Sequence, residues 1–216
     1  MRAGHAQPGR GGTGLRRRVG RAAAALAALG VFPVYDLGGG LGIAYRPGER
    51  APSIADYAEA TVRALHEHLD PSAKLIVEPG RSVVGRSIVT LYEVITVKRA
   101  RLTHVAVNGG MGDNLEPMLY GQRFAPFVLD AERPSEPCEL VGHHCESGDV
   151  LERGVVLATP EVGDHVVMPV TGAYCYSLAN NYNGARRPPV VLCRDGEAKL
   201  AVRRETIDDL LARNVR

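Results

Sequence analysis

Apolar and polar positions in the first part of the chain follow the order helix, strand, helix, strand. Residues 15–29 are rich in Ala and Arg, which favours a helix, and residues 31–37 form a short apolar run that is typical of a strand. A second helix is predicted to follow Ser53, a suitable N-cap, and residues 74–77 are predicted to form a buried strand. Since this alternation is typical of parallel strands joined by helices, residues 15–88 are predicted to be an α/β unit.

From residue 89 onward the apolar runs are shorter and are separated by Gly, Pro and Asp, which is typical of an all-β sandwich or barrel. The first 14 residues are rich in Gly and Arg and lack apolar periodicity, which predicts a disordered tail, with a transit peptide as the alternative. The predicted strands are residues 88–97, 104–108, 139–142, 164–171, 190–193 and 200–203, followed by a short helix at residues 206–211.

The composition is that of an ordinary globular protein, because 45% of the 216 residues are hydrophobic and 23% are charged. The net charge of +2 favours neither nucleic acid nor a membrane surface as a partner. No apolar run reaches the ~18 residues that a membrane-spanning helix needs. The four cysteines form no CxxC pair, so free thiols and a cytoplasmic location are predicted.

Each of the two predicted parallel strands is followed by a loop that contains glycine. The first loop is Gly38-Gly39-Gly40-Leu41-Gly42, and the second is Glu78-Pro79-Gly80-Arg81. Glycine lets backbone N–H groups approach a phosphate closely, and Arg81 can offer a bidentate guanidinium group to an anion. Because the carboxy ends of parallel strands meet at one edge of a sheet, the two loops predict an anion site, with plain structural turns as the alternative.

Two further segments carry side chains that are suited to chemistry. In His143-His144-Cys145-Glu146-Ser147-Gly148-Asp149, the thiol of Cys145 is a candidate proton donor, and a buried structural cysteine is the alternative. A metal site is not predicted there, because adjacent residues on a strand point to opposite faces. In Gly172-Ala173-Tyr174-Cys175-Tyr176, Tyr174 either presents its hydroxyl group at a pocket wall or is an ordinary strand aromatic.

Five motifs occur along the chain in this order: DLGGGLGI at residues 36–43, EPGRS at 78–82, LYG at 119–121, HCESGD at 144–149 and GAYCYS at 172–177. Together they resemble the diaminopimelate decarboxylase family, from about Val31 to the carboxy terminus. The pair HCESGD and GAYCYS is specific to that family, whereas GGGLG and EPGR are shared with other decarboxylases of the same fold.

The resemblance implies an alanine-racemase-like fold, in which residues 15–88 end a TIM-type (β/α) barrel and residues 89–216 form a β-barrel domain. It implies decarboxylation of meso-diaminopimelate to L-lysine with pyridoxal 5'-phosphate, in a homodimer without a metal. Cys145 is the implied proton donor, and with Glu146 it is implied to reach the neighbouring subunit's site. The implied cofactor-binding residues are Gly39, Gly40, Glu78, Pro79, Gly80, Arg81 and Tyr174. The implied substrate-binding residues are Arg81, Tyr120, Glu146 and Tyr174.

The sequence departs from the family pattern in two respects. Glu116 stands where the family has an arginine that binds a substrate carboxylate, so either Arg123 replaces it or the substrate is another basic amino acid. The lysine that binds the cofactor covalently lies, in the family, before the segment that this sequence matches, and the lysines here are Lys74, Lys98 and Lys199. We therefore expect the chain to be inactive alone, with a non-catalytic remnant or a dimerising β-domain as the alternatives.

Overall fold

The computed structural model of the chain describes residues 12–215, and the chain divides into two units at residues 87 and 88. The sequence pattern predicted this change between residues 88 and 89. The first helix, α1, begins at Gly12, so residues 12–14 are helical and not disordered as predicted. The Arg- and Ala-rich composition that favours the helix outweighs the glycines of its first turn. The remainder of the predicted tail, residues 1–11, lies outside the described residues.

The first unit contains helices and strands in the predicted order. Its elements are α1 (Gly12–Ala27), β1 (Val34–Asp36), α2 (Ile54–His68), β2 (Lys74–Ile76) and α3 (Gly80–Val84). Strands β1 and β2 pair in parallel, with Tyr35 opposite Leu75, and α2 lies in the connection between them. The prediction of parallel strands joined by a helix is therefore confirmed.

Helices α1 and α2 pack against each other and supply most of the core of this unit. Ser53 caps α2 as predicted, because its hydroxyl group accepts a hydrogen bond of 3.0 Å from the backbone N–H of Asp56. The carboxylate of Asp56 accepts a hydrogen bond from the backbone N–H of Ser53 in return, at 3.0 Å. The buried side chains of α1 and α2 are Leu15, Val19, Ala23, Tyr57, Ala60, Thr61, Ala64 and Leu65.

Strand β2 is not the buried strand that the sequence predicted. Tyr35 is buried, and its partner Leu75 is half-buried against the helical core. The side chain of Ile76 points to the opposite face and is 39% exposed, because the described part of this unit has no layer that covers that face. Burial of apolar strand residues therefore reaches only one side of the two-stranded sheet.

The second unit is built on a six-stranded sheet with one separate hairpin. The strands are β3 (Thr90–Lys98), β4 (Thr103–Val107), β5 (Phe127–Val128), β6 (Ser135–Val141), β7 (Val150–Ala158), β8 (His165–Met168), β9 (Val190–Arg194) and β10 (Glu197–Val202). The helices are α4 (Glu116–Tyr120), a 3-10 turn (Tyr182–Gly184) and α5 (Ile207–Leu211). The all-β character predicted for this half is confirmed, although β5 and β7 were not predicted.

The strand order of the large sheet is β5-β8-β3-β4-β6-β7, and only β4 and β6 pair in parallel. The edge strands β5 and β7 lie against each other, so the sheet nearly closes into a barrel, and helix α4 also lies against β7. None of the helices within residues 12–215 is long and apolar enough to cross a membrane. Side chains buried in this unit include Val94, Val105, Phe124, Leu140, Leu157, Val166 and Met168.

Candidate active site

The two glycine-containing loops of the first unit lie side by side. Beyond the paired strands, the backbone N–H of Leu37 donates to the carbonyl of Ile76 at 3.0 Å. The N–H of Glu78 then donates to the carbonyl of Gly38 at 2.8 Å. The parallel ladder therefore continues into the loops, and it brings the predicted residues Gly39 and Glu78 together at the carboxy ends of β1 and β2.

Gly39 is the point of closest approach between these loops. A Cβ atom at Gly39 would lie 2.3 Å from the carbonyl oxygen of Glu78, so only glycine fits there. Gly38 and Gly40 have φ angles of 69° and 105°, in the left-handed region that favours glycine. Glycine is therefore needed at three successive positions. Close contact requires it at Gly39, and backbone conformation favours it at Gly38 and Gly40.

Tyr57 of helix α2 is hydrogen-bonded to the first glycine loop. Its hydroxyl group donates to the carbonyls of Gly38 and Gly39, at 3.4 and 3.3 Å. Burial of the phenol raises the pKa of Tyr57, and the negative charge of Asp36 adds to this rise. The hydroxyl group therefore stays protonated and remains a donor to the loop.

The Glu78–Arg81 segment is not a plain loop as predicted, because Gly80 and Arg81 begin helix α3. The hydroxyl group of Ser82 donates to the carbonyl of Pro79 at 2.7 Å, which stabilises the turn into this helix. The guanidinium carbon of Arg81 lies 5.6 Å from the ring centroid of Tyr45, a cation–π contact. The positive charge of Arg81 is thereby held on the same segment as Pro79 and Gly80.

In the second unit, Cys145 and Glu146 lie in the loop between β6 and β7. The prediction treated this segment as a strand, and that is wrong: the loop turns so that the backbone N–H of Gly142 donates to the carbonyl of Asp149 at 2.9 Å. Both Cys145 and Glu146 are exposed, and a carboxylate oxygen of Glu146 accepts from the N–H of Gly148 at 3.0 Å. The exposed thiol is consistent with a chemical role and not with a buried structural cysteine.

Tyr120 ends a helix, and Tyr174 lies in a turn and not in a strand. Tyr120 is the last residue of α4 and its side chain is partly exposed. Tyr174 has a φ of 66° in the turn that follows Thr171, a conformation that is strained for a bulky residue. Its side chain is 40% exposed, so Tyr174 is not an ordinary buried strand aromatic, and its place at a pocket wall stays a prediction.

Glu116 lies inside the second unit. Its side chain is fully buried, and the thiol of Cys175 donates to its Oε2 at 3.7 Å. The same thiol lies 3.4 Å from Oδ1 of Asn114. Burial raises the pKa of Cys175, and the charge of Glu116 raises it further, so this thiol is not a nucleophile or a readily ionised acid.

Arg123, the predicted replacement for the missing arginine, is paired within the second unit. Its Nε donates to Oε1 of Glu152, and its Nη2 donates to the carbonyl of Arg153 at 2.6 Å. Glu152 is buried, and its other carboxylate oxygen accepts from the N–H of Phe124 at 2.8 Å. The guanidinium group of Arg123 is therefore paired with a buried carboxylate of its own unit, while its side chain remains 46% exposed.

The lysines add no candidate for a covalent cofactor bond. Lys74 is exposed at the amino end of β2, whereas the glycine loops follow the carboxy ends of the strands. Lys98 ends β3 and Lys199 lies in the β9–β10 hairpin. Within residues 12–215, no group of three or more His, Cys, Asp or Glu side chains is arranged to hold a metal ion.

Residues 32–172 match the family described as pyridoxal-dependent decarboxylase, C-terminal sheet domain. This chain belongs to that family. The match begins before β1 and ends in the GAYCYS motif, so it includes both glycine-containing loops, Glu116 and the loop with Cys145. The resemblance inferred from the five motifs is confirmed at the level of the decarboxylase family.

Curated relatives of this decarboxylase-family chain are diaminopimelate decarboxylases. The protein from Actinosynnema pretiosum subsp. auranticum is 49% identical over 188 residues, which cover 83% of this chain and 43% of the relative. The protein from Mycobacterium tuberculosis (strain ATCC 25618 / H37Rv) is 44% identical over 199 residues, with 84% and 43% covered. The chain therefore spans less than half the length of these relatives.

Solved structures agree with this assignment of the decarboxylase family. Diaminopimelate decarboxylase from M. jannaschii in co-complex with L-lysine superposes with a TM-score of 0.83 at 30% identity, covering 95% of this chain and 49% of that chain. The Helicobacter pylori enzyme complexed with L-lysine gives 0.79 at 31% identity, covering 92% and 50%. An arginine decarboxylase of Paramecium bursaria Chlorella virus, at 23% identity and a TM-score of 0.65, shares the fold.

Sequence reasoning missed the side chains that support the candidate residues. Tyr57 was not predicted as a site residue, yet its hydroxyl group binds the glycine loop. His144 and Asp149 were predicted only as the ends of the HCESGD motif, yet they form a buried pair at 2.7 Å. A signal was present in the glycines at positions 110 and 142, both of which lie against Asp149 in the structure.

Proposed function

We propose that this chain supplies part of the active site of a PLP-dependent decarboxylase that converts meso-diaminopimelate to L-lysine. The observation that carries the proposal is the contact of Gly39 with the carbonyl group of Glu78, where two strand-end loops form one backbone cradle. The substrate is supported by relatives at 49% and 44% identity that are named diaminopimelate decarboxylases. The first unit is then a segment of a (β/α) barrel, and the covalent lysine belongs to residues that this segment does not contain.

The first unit fits the phosphate group of the cofactor. A Cβ atom at Gly40 would meet no atom within 4 Å, so the space beside this backbone is open. In the proposal, backbone N–H groups of Gly39, Gly40 and the Glu78–Arg81 segment bind the phosphate, and Arg81 adds positive charge. The cofactor, when bound, supplies an electron-withdrawing ring that stabilises the charge left behind as carbon dioxide departs.

The second unit supplies the polar side chains of the proposal. The thiol of Cys145 returns a proton to the carbon that lost carbon dioxide, and the carboxylate of Glu146 pairs with the distal ammonium group of the substrate. The hydroxyl group of Tyr174 contacts cofactor and substrate, and that of Tyr120 contacts substrate. The exposure of all four side chains supports these roles, since each is accessible to a ligand.

The same proposal includes a homodimer in the cytoplasm, in which each subunit lends Cys145 and Glu146 to its neighbour. The exposed position of both residues in the β6–β7 loop supports this arrangement. Light scattering on the purified protein measures the oligomeric state. A mass of twice one chain is expected, and a monomer at every concentration contradicts the dimer.

A second candidate is a decarboxylase of another basic amino acid, such as ornithine or arginine. Glu116 favours it, because a buried carboxylate stands at the position of the family's arginine. A carboxylate repels the acid group that the arginine would bind, which favours a substrate with one carboxylate over meso-diaminopimelate. The third candidate is a non-catalytic domain that associates with a longer member of the family.

The experiment that separates these candidates is a chimera in which the part of the A. pretiosum enzyme that precedes the match is joined to this chain. Carbon dioxide release is measured with PLP and meso-diaminopimelate, ornithine or arginine. Release from meso-diaminopimelate that falls about a hundredfold in Cys145→Ser supports the proposal. Release from ornithine or arginine alone favours the second candidate, and a folded chimera that releases no carbon dioxide favours the third.

A further inference from the structure

The carboxylate of Asp149 joins two loops of the second unit. Its Oδ1 accepts a hydrogen bond of 2.7 Å from the backbone N–H of Met111 in the β4–α4 loop. Its Oδ2 accepts from the backbone N–H of His144 at 3.0 Å and lies 2.7 Å from Nδ1 of the same residue. A buried carboxylate with three donors around it is held in one position.

Two glycines make room for this carboxylate. A Cβ atom at Gly110 would lie 2.4 Å from Oδ2 of Asp149, and one at Gly142 would lie 2.0 Å from the same atom. Both distances are shorter than any real carbon–oxygen contact, so neither position tolerates a side chain while Asp149 stays in place. The backbone is therefore shaped on both sides to receive one carboxylate.

The ring of His144 adds a third loop to the junction. It stacks on the ring of Tyr182 with 6.2 Å between the centroids and 17° between the planes. A Cβ atom at Gly112 would lie 2.7 Å from its Nε2, so the β4–α4 loop also packs against this ring. The side chains of His144 and Asp149 are each 1% exposed. His144 and Asp149 thus connect the β4–α4 loop, the β6–β7 loop and the segment that contains Tyr182.

The loop between His144 and Asp149 is short and carries both exposed candidate residues. The N–H of Glu146 donates to the carbonyl of His144 at 2.8 Å, and the N–H of Asp149 donates to the carbonyl of Glu146 at 3.1 Å. The two ends of the loop are therefore fixed by the His144–Asp149 contact. Cys145 and Glu146 lie directly after this histidine, within the hydrogen-bonded turn.

We propose that His144 and Asp149 are positioning residues, which hold Cys145 and Glu146 in one conformation through the hydrogen bond between Nδ1 and Oδ2. Both oxygens of Asp149 accept from backbone N–H groups, and in the proposal Nδ1 of His144 is a further donor to Oδ2. The proposal rests on the proposed function for the reaction that Cys145 and Glu146 serve. The positioning itself is a property of this chain and is measured without cofactor or substrate.

The test compares two substitutions of similar size at position 144. In His144→Asn the amide nitrogen takes the place of Nδ1 and keeps the hydrogen bond to Asp149, whereas in His144→Gln it takes the place of Nε2 and loses it. Hydrogen exchange of the backbone amides of residues 144–148 is measured by mass spectrometry. We expect exchange about tenfold faster in His144→Gln and His144→Ala, and close to the wild-type rate in His144→Asn.

Alkylation provides the second readout. The rate constant at Cys145 is measured relative to that at Cys193, an exposed thiol of β9 that serves as an internal control. We expect the ratio to rise about threefold in His144→Gln and to stay unchanged in His144→Asn, because a freed loop exposes the thiol in more conformations. A ring that only fills space would make the Asn and Gln variants behave alike, and that result overturns the proposal.

A further variant keeps the test decisive. If the variants at position 144 lose the circular dichroism of the folded chain, Asp149→Asn is measured in the same way, since it removes one acceptor and leaves His144 in place. Unchanged exchange and alkylation in that variant also overturn the proposal. Neither readout uses PLP, so a chimera without decarboxylase activity contradicts the proposed function alone, and unchanged exchange contradicts the positioning alone.

Discussion

The hydroxyl group of Tyr92 donates a hydrogen bond of 2.5 Å to Oδ2 of Asp113 in the interior of the second unit. The other oxygen of Asp113 accepts from the backbone N–H of Gly110 at 2.7 Å. Burial raises the pKa of Asp113 to about 6, although both donated hydrogen bonds lower it. Burial also raises the pKa of Tyr92 well above its ordinary value, so the phenol remains the donor at neutral pH.

The raised pKa of Asp113 predicts that this residue makes folding less favourable as the pH rises. Its folded-state pKa of about 6 lies above the unfolded value of 3.8, so the folded state holds the proton more tightly. The contribution is fully present below pH 3.8 and is lost as the pH rises through about 6. Across this range the protein loses about 3 kcal/mol of stability. Asp113→Asn has no carboxyl group at this position, so its stability should not show this dependence on pH.

The measurement is the free energy of unfolding in urea, followed by circular dichroism, for the wild type and Asp113→Asn between pH 4 and pH 7. The difference between the two proteins should shift in favour of Asp113→Asn as the pH rises. A difference that is the same at both ends of this range would mean that Asp113 does not titrate between them.

Gly39→Ala should separate the two loops of the first unit. The added Cβ atom meets the Glu78 carbonyl at 2.3 Å, and overpacking of this kind costs about 1–3 kcal/mol. The matched control is Gly42→Ala, where a Cβ atom meets nothing within 4 Å and the expected change is below about 0.5 kcal/mol. Equilibrium dialysis should also detect weaker PLP binding in Gly39→Ala, and equal stability and binding in the two variants would contradict the cradle.

Arg123→Ala should destabilise the second unit, because it leaves the buried carboxylate of Glu152 without its cation. Removing one partner of a buried pair costs about 3–5 kcal/mol, and since Arg123 is half exposed we expect about 2 kcal/mol. Arg194→Ala is the control, because the side chains of Arg194 and Asp195 are 91% and 86% exposed and this pair contributes less than about 0.5 kcal/mol. Urea unfolding measures the free energy of unfolding of both variants. An equal loss in the two would mean that the buried carboxylate of Glu152 does not depend on Arg123.

Thiol titration should separate the four cysteines into two classes. Cys145 and Cys193 are exposed and should react with an aromatic disulfide reagent in the native protein. Cys138 and Cys175 are buried, and burial raises the pKa of both thiols, so they should react only after denaturation. Peptide mapping identifies the modified residues, and rapid native modification of Cys175 would show that its neighbours Asn114 and Glu116 are accessible.

Local signals in the sequence were sufficient to predict several elements. Ser53 was predicted to cap α2, and it does so with Asp56 in a reciprocal pair. The predicted last helix begins after Thr206, which forms the same kind of capping box with Asp209. These features depend on residues within three positions of each other, so a local pattern contains all the information needed.

Features that depend on distant partners were not predictable. Strand β7 was missed because Glu152 interrupts its apolar pattern, and that carboxylate is buried only because Arg123 and Phe124 bind it across the structure. The exposure of Ile76 was missed because an apolar strand residue does not reveal which face the rest of the protein covers. The sequence predicted that the loops of Gly39 and Glu78 lie at one edge of the sheet. It did not predict that their backbones approach so closely that only glycine fits at position 39.

Helix α4 carries Tyr120 and lies against β7, the edge strand of the nearly closed sheet. A strand at an edge has backbone groups with which another chain can pair, and a packed helix keeps such a chain away. Substitutions that loosen α4 are therefore expected to expose part of β7 and to promote association through this strand. Variants of this helix should be examined for fibrillar or amorphous self-association whenever their loss of activity is interpreted.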